Sequence, residues 1–196
     1  VSLAGPTNAT IADGTAVGTI TDDESAPTIA SVEPGAPGAA DDAAPEGTDL
    51  VYTVTLTNPS STPVSYAFTL GGGTAGAGDI GVPVFSDGVV LNPDGTITVP
   101  AGVTSFTVTV PTTQDTTDEA NETVEVTLSA PTNAALGATT VHTYTILDND
   151  NAPTVAFALA SSSGDEGTTP ANLAVNLSAA SGQTVKRRGE IAHRRL

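Results

Sequence analysis

Apolar and hydroxyl side chains alternate along much of the chain. Tyr52, Val54 and Leu56 are interleaved with Thr53, Thr55 and Thr57. Phe106, Val108 and Val110 alternate with Thr107 and Thr109, and Val124, Val126 and Leu128 alternate with Thr123, Glu125 and Thr127. A period of two places one set on each face of a pleated strand. The pattern predicts half-buried strands of antiparallel sheets, with a Thr-rich face in water. Weaker strand signals cover 28–33, 63–70, 82–86, 96–99 and 139–147. Turn-forming residues separate them at Asn58-Pro59, Gly71-Gly72-Gly73, Asn92-Pro93-Asp94-Gly95 and Pro131-Thr132-Asn133. No stretch carries a convincing 3.6-residue period. Seven or eight short strands within about 125 residues predict an all-β fold, an immunoglobulin-like antiparallel β-sandwich.

The chain also repeats itself. Val1-Ser-Leu-Ala-Gly-Pro-Thr-Asn-Ala9 returns as Val126-Thr-Leu-Ser-Ala-Pro-Thr-Asn-Ala134, and Thr19-Ile-Thr-Asp-Asp-Glu-Ser-Ala-Pro-Thr28 returns as Thr145-Ile-Leu-Asp-Asn-Asp-Asn-Ala-Pro-Thr154. Glu46-Gly-Thr48 reappears as Glu166-Gly-Thr168. The first two matches, offset by 125 and 126 residues, divide the sequence into the end of one repeat (1–25), a complete repeat (26–150) and the start of a third (151–185). Such a chain reads as a slice of a tandem array, whose neighbouring repeats are its expected partners.

Charge sharpens this picture. The 196 residues carry 22 acidic and 5 basic side chains, a formal charge of −17. All five basic residues (Lys186, Arg187, Arg188, Arg194 and Arg195) fall within 186–196, a tail whose composition is foreign to the repeat and which is expected to stand outside the fold. A repeat without Lys or Arg is a poor partner for nucleic acid. The absence of Cys excludes a disulfide framework and a thiolate zinc site. No apolar run reaches the length of a membrane span. Val, Leu, Ile and Phe make up only 43 of the 196 residues, so the core must be placed economically.

The acids fall in connections. Glu46 precedes a strand, and Asp79 lies in the Gly-rich loop 71–81. Asp115, Asp118, Glu119 and Glu122 crowd one connection, while Asp148 and Asp150 follow the last strand of the repeat. In an up-and-down sandwich, connections two strands apart share an end, so these acids can converge. Like carboxylates about 5 Å apart, at an effective dielectric near 20, repel by roughly 3 kcal/mol per pair. Ca²⁺ relieves such repulsion, taking six to eight oxygens from flexible carboxylates and carbonyls. The other reading of the same acids is a solvated, solubilising surface.

Three segments resemble the Calx-beta domain: Gly73-Thr-Ala-Gly-Ala-Gly-Asp79-Ile80, Asp115-Thr-Thr-Asp-Glu119-Ala-Asn-Glu122-Thr-Val-Glu-Val-Thr-Leu-Ser129, and Thr145-Ile-Leu-Asp148-Asn-Asp150. The resemblance covers about 40–150. That module occurs in the regulatory region of sodium–calcium exchangers and in large bacterial surface proteins. It implies an immunoglobulin-like sandwich that binds Ca²⁺ at one end. Its ligands fall here on Glu46, Asp79, Asp115, Glu119, Glu122, Asp148 and Asp150, with Asp118 beside them and without a firm counterpart. Ile80 stands where the family usually has an aromatic residue, Gln114 replaces the first of an acidic pair, and Asn149 replaces the middle acid of a closing trio. Fewer charges imply fewer ions or weaker binding than in the exchanger sensors.

Catalysis finds little support in this sequence. His142 lies in a strand, His193 lies in the basic tail, and neither meets a plausible nucleophile. A carboxylate pair could serve a glycosidase. With three Tyr, four Phe and no Trp, however, the chain offers no aromatic platform for a sugar. The expectation is a non-enzymatic, calcium-binding extender repeat of a large secreted or cell-surface bacterial protein, an adhesin. The alternatives are a polysaccharide-binding accessory module of an extracellular hydrolase, and a Ca²⁺ sensor. An extracellular polysaccharide or surface ligand would be gripped elsewhere in the parent protein.

Overall fold

The structure, a computed structural model, describes residues 1–34, 42–138, 140–165, 167 and 173–186. Glu166, Thr168 and residues 187–196, on which part of the repeat signal and nearly all of the basic tail fall, lie outside them. Among the described residues there is no helix. In chain order the strands are β1 (Ile29–Pro34), β2 (Ala43–Pro45), β3 (Leu50–Leu56), β4 (Val64–Leu70), β5 (Val84–Phe85) and β6 (Val90–Leu91). Then come β7 (Thr96–Val99), β8 (Ser105–Val110), β9 (Glu122–Thr132), β10 (Val141–Leu147), β11 (Val155–Phe157) and β12 (Val175–Leu177).

Two sheets face each other. One has the order β1-β3-β8-β5 and the other β2-β10-β9-β4-β7-β6. All pairings are antiparallel except β2 with β10, which is parallel. The expectation of an all-β immunoglobulin-like sandwich is met, with a winding more complex than up-and-down. Consecutive strands β3 and β4 lie in different sheets, and so do β8 and β9.

The alternation seen in the sequence decides which side chains enter the core. Tyr52, Val54, Leu56, Phe106, Val108, Val110, Val124, Val126 and Leu128 are all buried between the sheets. Ile29, Val32, Tyr66, Ile97, Val99 and Ile146 join them. The intervening Thr residues of β3 and β8 sit half-buried on the outer face. Among the described residues no charged or polar residue is buried as a whole, so the core is apolar apart from tyrosine hydroxyls. Tyr52 packs edge-on against Tyr144 and His142, with ring centres 6.0 and 6.1 Å apart. His142 points its Nε2 towards the Asp42 carboxylate at 3.2 Å and takes the strand-face place expected of it.

The register sorts the connections into two poles. Leu50 pairs with Val110, Ile146 with Glu122, and Leu70 with Val126. The loops that follow β2, β4, β8 and β10 therefore share one end of the sandwich. Thr28, the loop 57–63, residues 133–138 and the turn before β8 share the other. The chain enters the sandwich at the second pole and leaves it at the first.

The flanks hold much less. Residues 1–16 make a loose hairpin through Leu3 N–H to Gly14 O at 2.8 Å and Ala16 N–H to Val1 O at 2.9 Å, and remain exposed. β11 and β12 pair with each other, and Val155, Phe157, Val175 and Leu177 are left in solvent.

Candidate metal centre

Each acid is delivered to the exit pole by a specific piece of backbone. β2 lies parallel to β10 with Pro45 opposite Leu147, and the Glu46 N–H donates to the Leu147 carbonyl at 3.0 Å. This pairing sets Glu46 beside Asp148 although 102 positions separate them. Asp79 is carried by the Gly-rich loop, which lies flat on the start of β9. Ala75 N–H donates to Thr123 O at 3.1 Å, and a Cβ on Gly73 would sit 1.9 Å from that same carbonyl oxygen. Only glycine permits this approach. The Asp79 carboxylate accepts from Gly76 N–H at 2.6 Å, and its carbonyl accepts from Thr113 N–H at 2.9 Å. Asp115 is held by Thr117 N–H at 2.7 Å, and Asp148 N–H donates to the Asn121 side-chain oxygen at 3.1 Å.

The result is a ring of carboxylates. One oxygen from each of Glu46, Asp115 and Asp150 lies within 4.8 Å of the others, a spacing that could hold a metal ion. Glu46, Asp79, Glu119, Glu122 and Asp148 line one small cleft beside them. Seven of the eight acids singled out from sequence thus meet in one region. The eighth, Asp118, belongs to neither group. Its carboxylate accepts from the Ser181 hydroxyl at 2.9 Å.

The electrostatics show the strain of this gathering. Glu46 is pushed up to about 7 by partial burial, by a hydrogen bond and the charge of Asp150, and by the charges of Asp115 and Asp148. Glu119 is raised by partial burial and then by Asp115, Asp79 and Asp148. Glu122 is raised by partial burial and then by Asp79 and Glu119. No Lys or Arg occurs anywhere in residues 1–185 to offset them. Oδ1 of Asp148 and Oδ2 of Asp150 are buried without any hydrogen-bond partner. Buried carboxylate oxygens are costly when unpaired. A hard cation is the species whose chemistry suits them all: the donor set is oxygen-only, anionic and drawn from irregular loops.

Two neutral residues also build the site. Gln114 and Asn149 exchange a reciprocal pair of amide hydrogen bonds, both of 3.1 Å. Gln114 Nε2 also donates to Glu46 Oε1 at 2.8 Å, and Asn149 Nδ2 donates to the Glu46 carbonyl at 3.3 Å. The amides thereby tie three connections together where two further acids would have repelled. The sequence showed them only as departures from an acidic motif, and nothing in it announced that they would meet.

No family model matches the chain, and no curated protein matches it. Among solved structures it is similar to the apo-form Calx CBD1 domain, with 24% identity over 52% of this chain and 83% of that one, at a TM-score of 0.40. It is similar to CBD12 from CALX1.2, with 25% identity over 59% of this chain and 44% of that one, at a TM-score of 0.44. A structure of the calcium binding domain CBD12 of CALX1.1 gives 24% identity over 59% and 46%, also at 0.44. The chain spans less than half the length of the two CBD12 structures.

Proposed function

We propose that this chain is a calcium-binding extender repeat of a larger secreted or surface-attached bacterial protein, an adhesin, and that its role is structural and not catalytic. The observation that carries the calcium reading is the pair of buried, unpartnered oxygens on Asp148 and Asp150 inside a ring of acids. Glu46, Asp115 and Asp150 would hold an ion on one side of the ring. Asp79, Glu119, Glu122 and Asp148 would supply oxygens on the other. Bound Ca²⁺ would neutralise the carboxylates and fix the loops that carry them. The extender reading rests on topology: the chain enters at one pole and leaves at the other, so copies joined end to end form a rod and not a cluster. Ca²⁺ added to chelator-treated chain in a calorimeter tests the metal. Saturable heat with at least one site is expected; no heat, together with an unchanged melting curve, would overturn the calcium reading.

A further inference from the structure

Residues 181–183 sit on the acidic loop, and the way they do so describes how two repeats meet. The Asp118 carboxylate accepts from Ser181 Oγ at 2.9 Å, its carbonyl accepts from Gly182 N–H at 3.0 Å, and Asp118 and Ser181 form a parallel bridge. Gln183 Nε2 donates to the Glu119 carbonyl at 2.9 Å. A Cβ on Gly182 would stand 2.6 Å from Glu119 Oε1, so the turn rests directly on a proposed metal ligand.

This turn has a counterpart in the complete repeat. Val155 pairs with Leu177 and Phe157 with Val175, as Ile29 pairs with Leu56 and Val32 with Val54, without the bulge that β1 contains. Thr154 N–H donates to the Ser178 hydroxyl at 2.8 Å, as Thr28 N–H donates to the Thr57 hydroxyl at 3.0 Å. Ser178 N–H donates to Thr154 O at 3.0 Å, as Thr57 N–H donates to Thr28 O at 2.9 Å. Three residues on, Ser181 Oγ accepts from Gln183 N–H at 3.1 Å, and Ser60 Oγ accepts from Thr62 N–H at 3.3 Å. Ser181 is therefore the following repeat's Ser60.

We infer that consecutive repeats lock head to tail, the turn after β3 of each repeat docking on the acidic loop of the repeat before it, with Asp118 as a docking residue. The same turn in the complete repeat borders a cleft of about 800 Å³ lined by Asp22, Glu24, Asn58, Ser60, Thr62 and Asn133. That cleft is the seat for the acidic loop of the preceding copy. Asp22 and Glu24, which occupy the positions of Asp148 and Asp150 in the repeat register, already stand on its wall. Ser61 replaces Gly182 in this copy, so its contact with the preceding loop is looser at that one position.

The inference rests on the tandem reading of the chain and can fail separately from the calcium reading. The chain has no cysteine, so Asp118→Cys with Ser181→Cys reports on one contact only. Oxidised in the full chain, this pair should close at least about tenfold faster than Asp118→Cys with Ser162→Cys, because docking raises the effective concentration of the two thiols. Adding Gly182→Val should remove that excess. In the unsubstituted chain the Gly182 amide should exchange with solvent at least about tenfold more slowly than that of Gly164. Equal closure rates with an unprotected Gly182 would overturn the lock. Fast closure in a chain whose melting curve ignores Ca²⁺ would sink the metal site and leave the lock standing.

Discussion

The two poles of the sandwich solve the same problem, holding loops together, with opposite chemistry. At the entry pole, amide N–H groups close the gaps: Asn58 Nδ2 donates to Ser25 O at 2.9 Å, Asn133 Nδ2 donates to Pro63 O at 3.2 Å, and Gly102 N–H donates to Ser60 O at 2.9 Å. Every such bond is satisfied by the chain itself. At the acidic pole, seven carboxylates share one region, and residues 1–185 hold no Lys or Arg to offset them. One pole holds its loops with bonds the chain makes to itself, whereas the other gathers charges that an ion would neutralise. The difference teaches that the sequence concentrates its dependence on solution conditions at a single end.

The largest expected effect removes the comparison altogether. Both poles hang from one core, so Phe106→Ala, fully buried on β8, should cost about 3–5 kcal/mol. Amides at both poles should then lose exchange protection together. If one pole kept its protection, the sandwich would not be a single cooperative unit.

Calcium should then separate the poles. A ligand that binds only the folded chain stabilises it by about 2.7 kcal/mol at a hundredfold excess over Kd, worth several degrees of melting temperature. Mg²⁺ at equal concentration should do far less, because it demands octahedral geometry and holds its water. Glu119→Gln with Asp148→Asn should abolish most of the gain. Asp87→Asn should not, since Asp87 lies in a separate turn where it accepts from Ser86. A Ca²⁺ response that survives the double substitution would place the ion elsewhere.

The entry pole should respond to sequence and ignore the metal. Asn58→Ala removes the donor that holds Ser25, and should cost about 1 kcal/mol equally with Ca²⁺ and with chelator. Unequal costs, read from paired denaturant titrations, would show the poles to be coupled.

The smallest effect is that of pH. Glu46, raised to about 7, and the raised Glu119 and Glu122 bind protons more tightly folded than unfolded. Without metal, stability should therefore be higher near pH 5 than near pH 8, falling as pH climbs from the ordinary glutamate range through about 7. With Ca²⁺ the trend should reverse, since protons compete for the same oxygens. Metal-free stability that rises across this window would contradict the crowding of the acids.

Much of this was legible in the sequence because the sheets are amphipathic. β3, β8 and β9 could be read from their alternation, since one face of each meets water and the other meets the core. β2 and β6, of three and two residues, are too short for any period to show, and Ala44 enters the core without the bulk that marks an apolar position. β2 is nonetheless the strand that brings Glu46 to Asp148. The convergence of the acids could be expected from their place in connections. The engagement of Asp118 by Ser181, 63 residues further on, could not.

The parallel pairing of β2 with β10, together with the placement of the two chain ends at opposite poles, has a mechanical consequence. Tension applied along the polypeptide pulls β1 outward at Thr28 and β10 outward at Asp148. Both pulls run along the strands, so the ladders of β1 with β3 and of β10 with β9 and β2 are loaded in shear. Sheared bonds must yield together, whereas peeled bonds yield one at a time. The sandwich is therefore oriented to resist stretching most strongly along the axis of its own polypeptide.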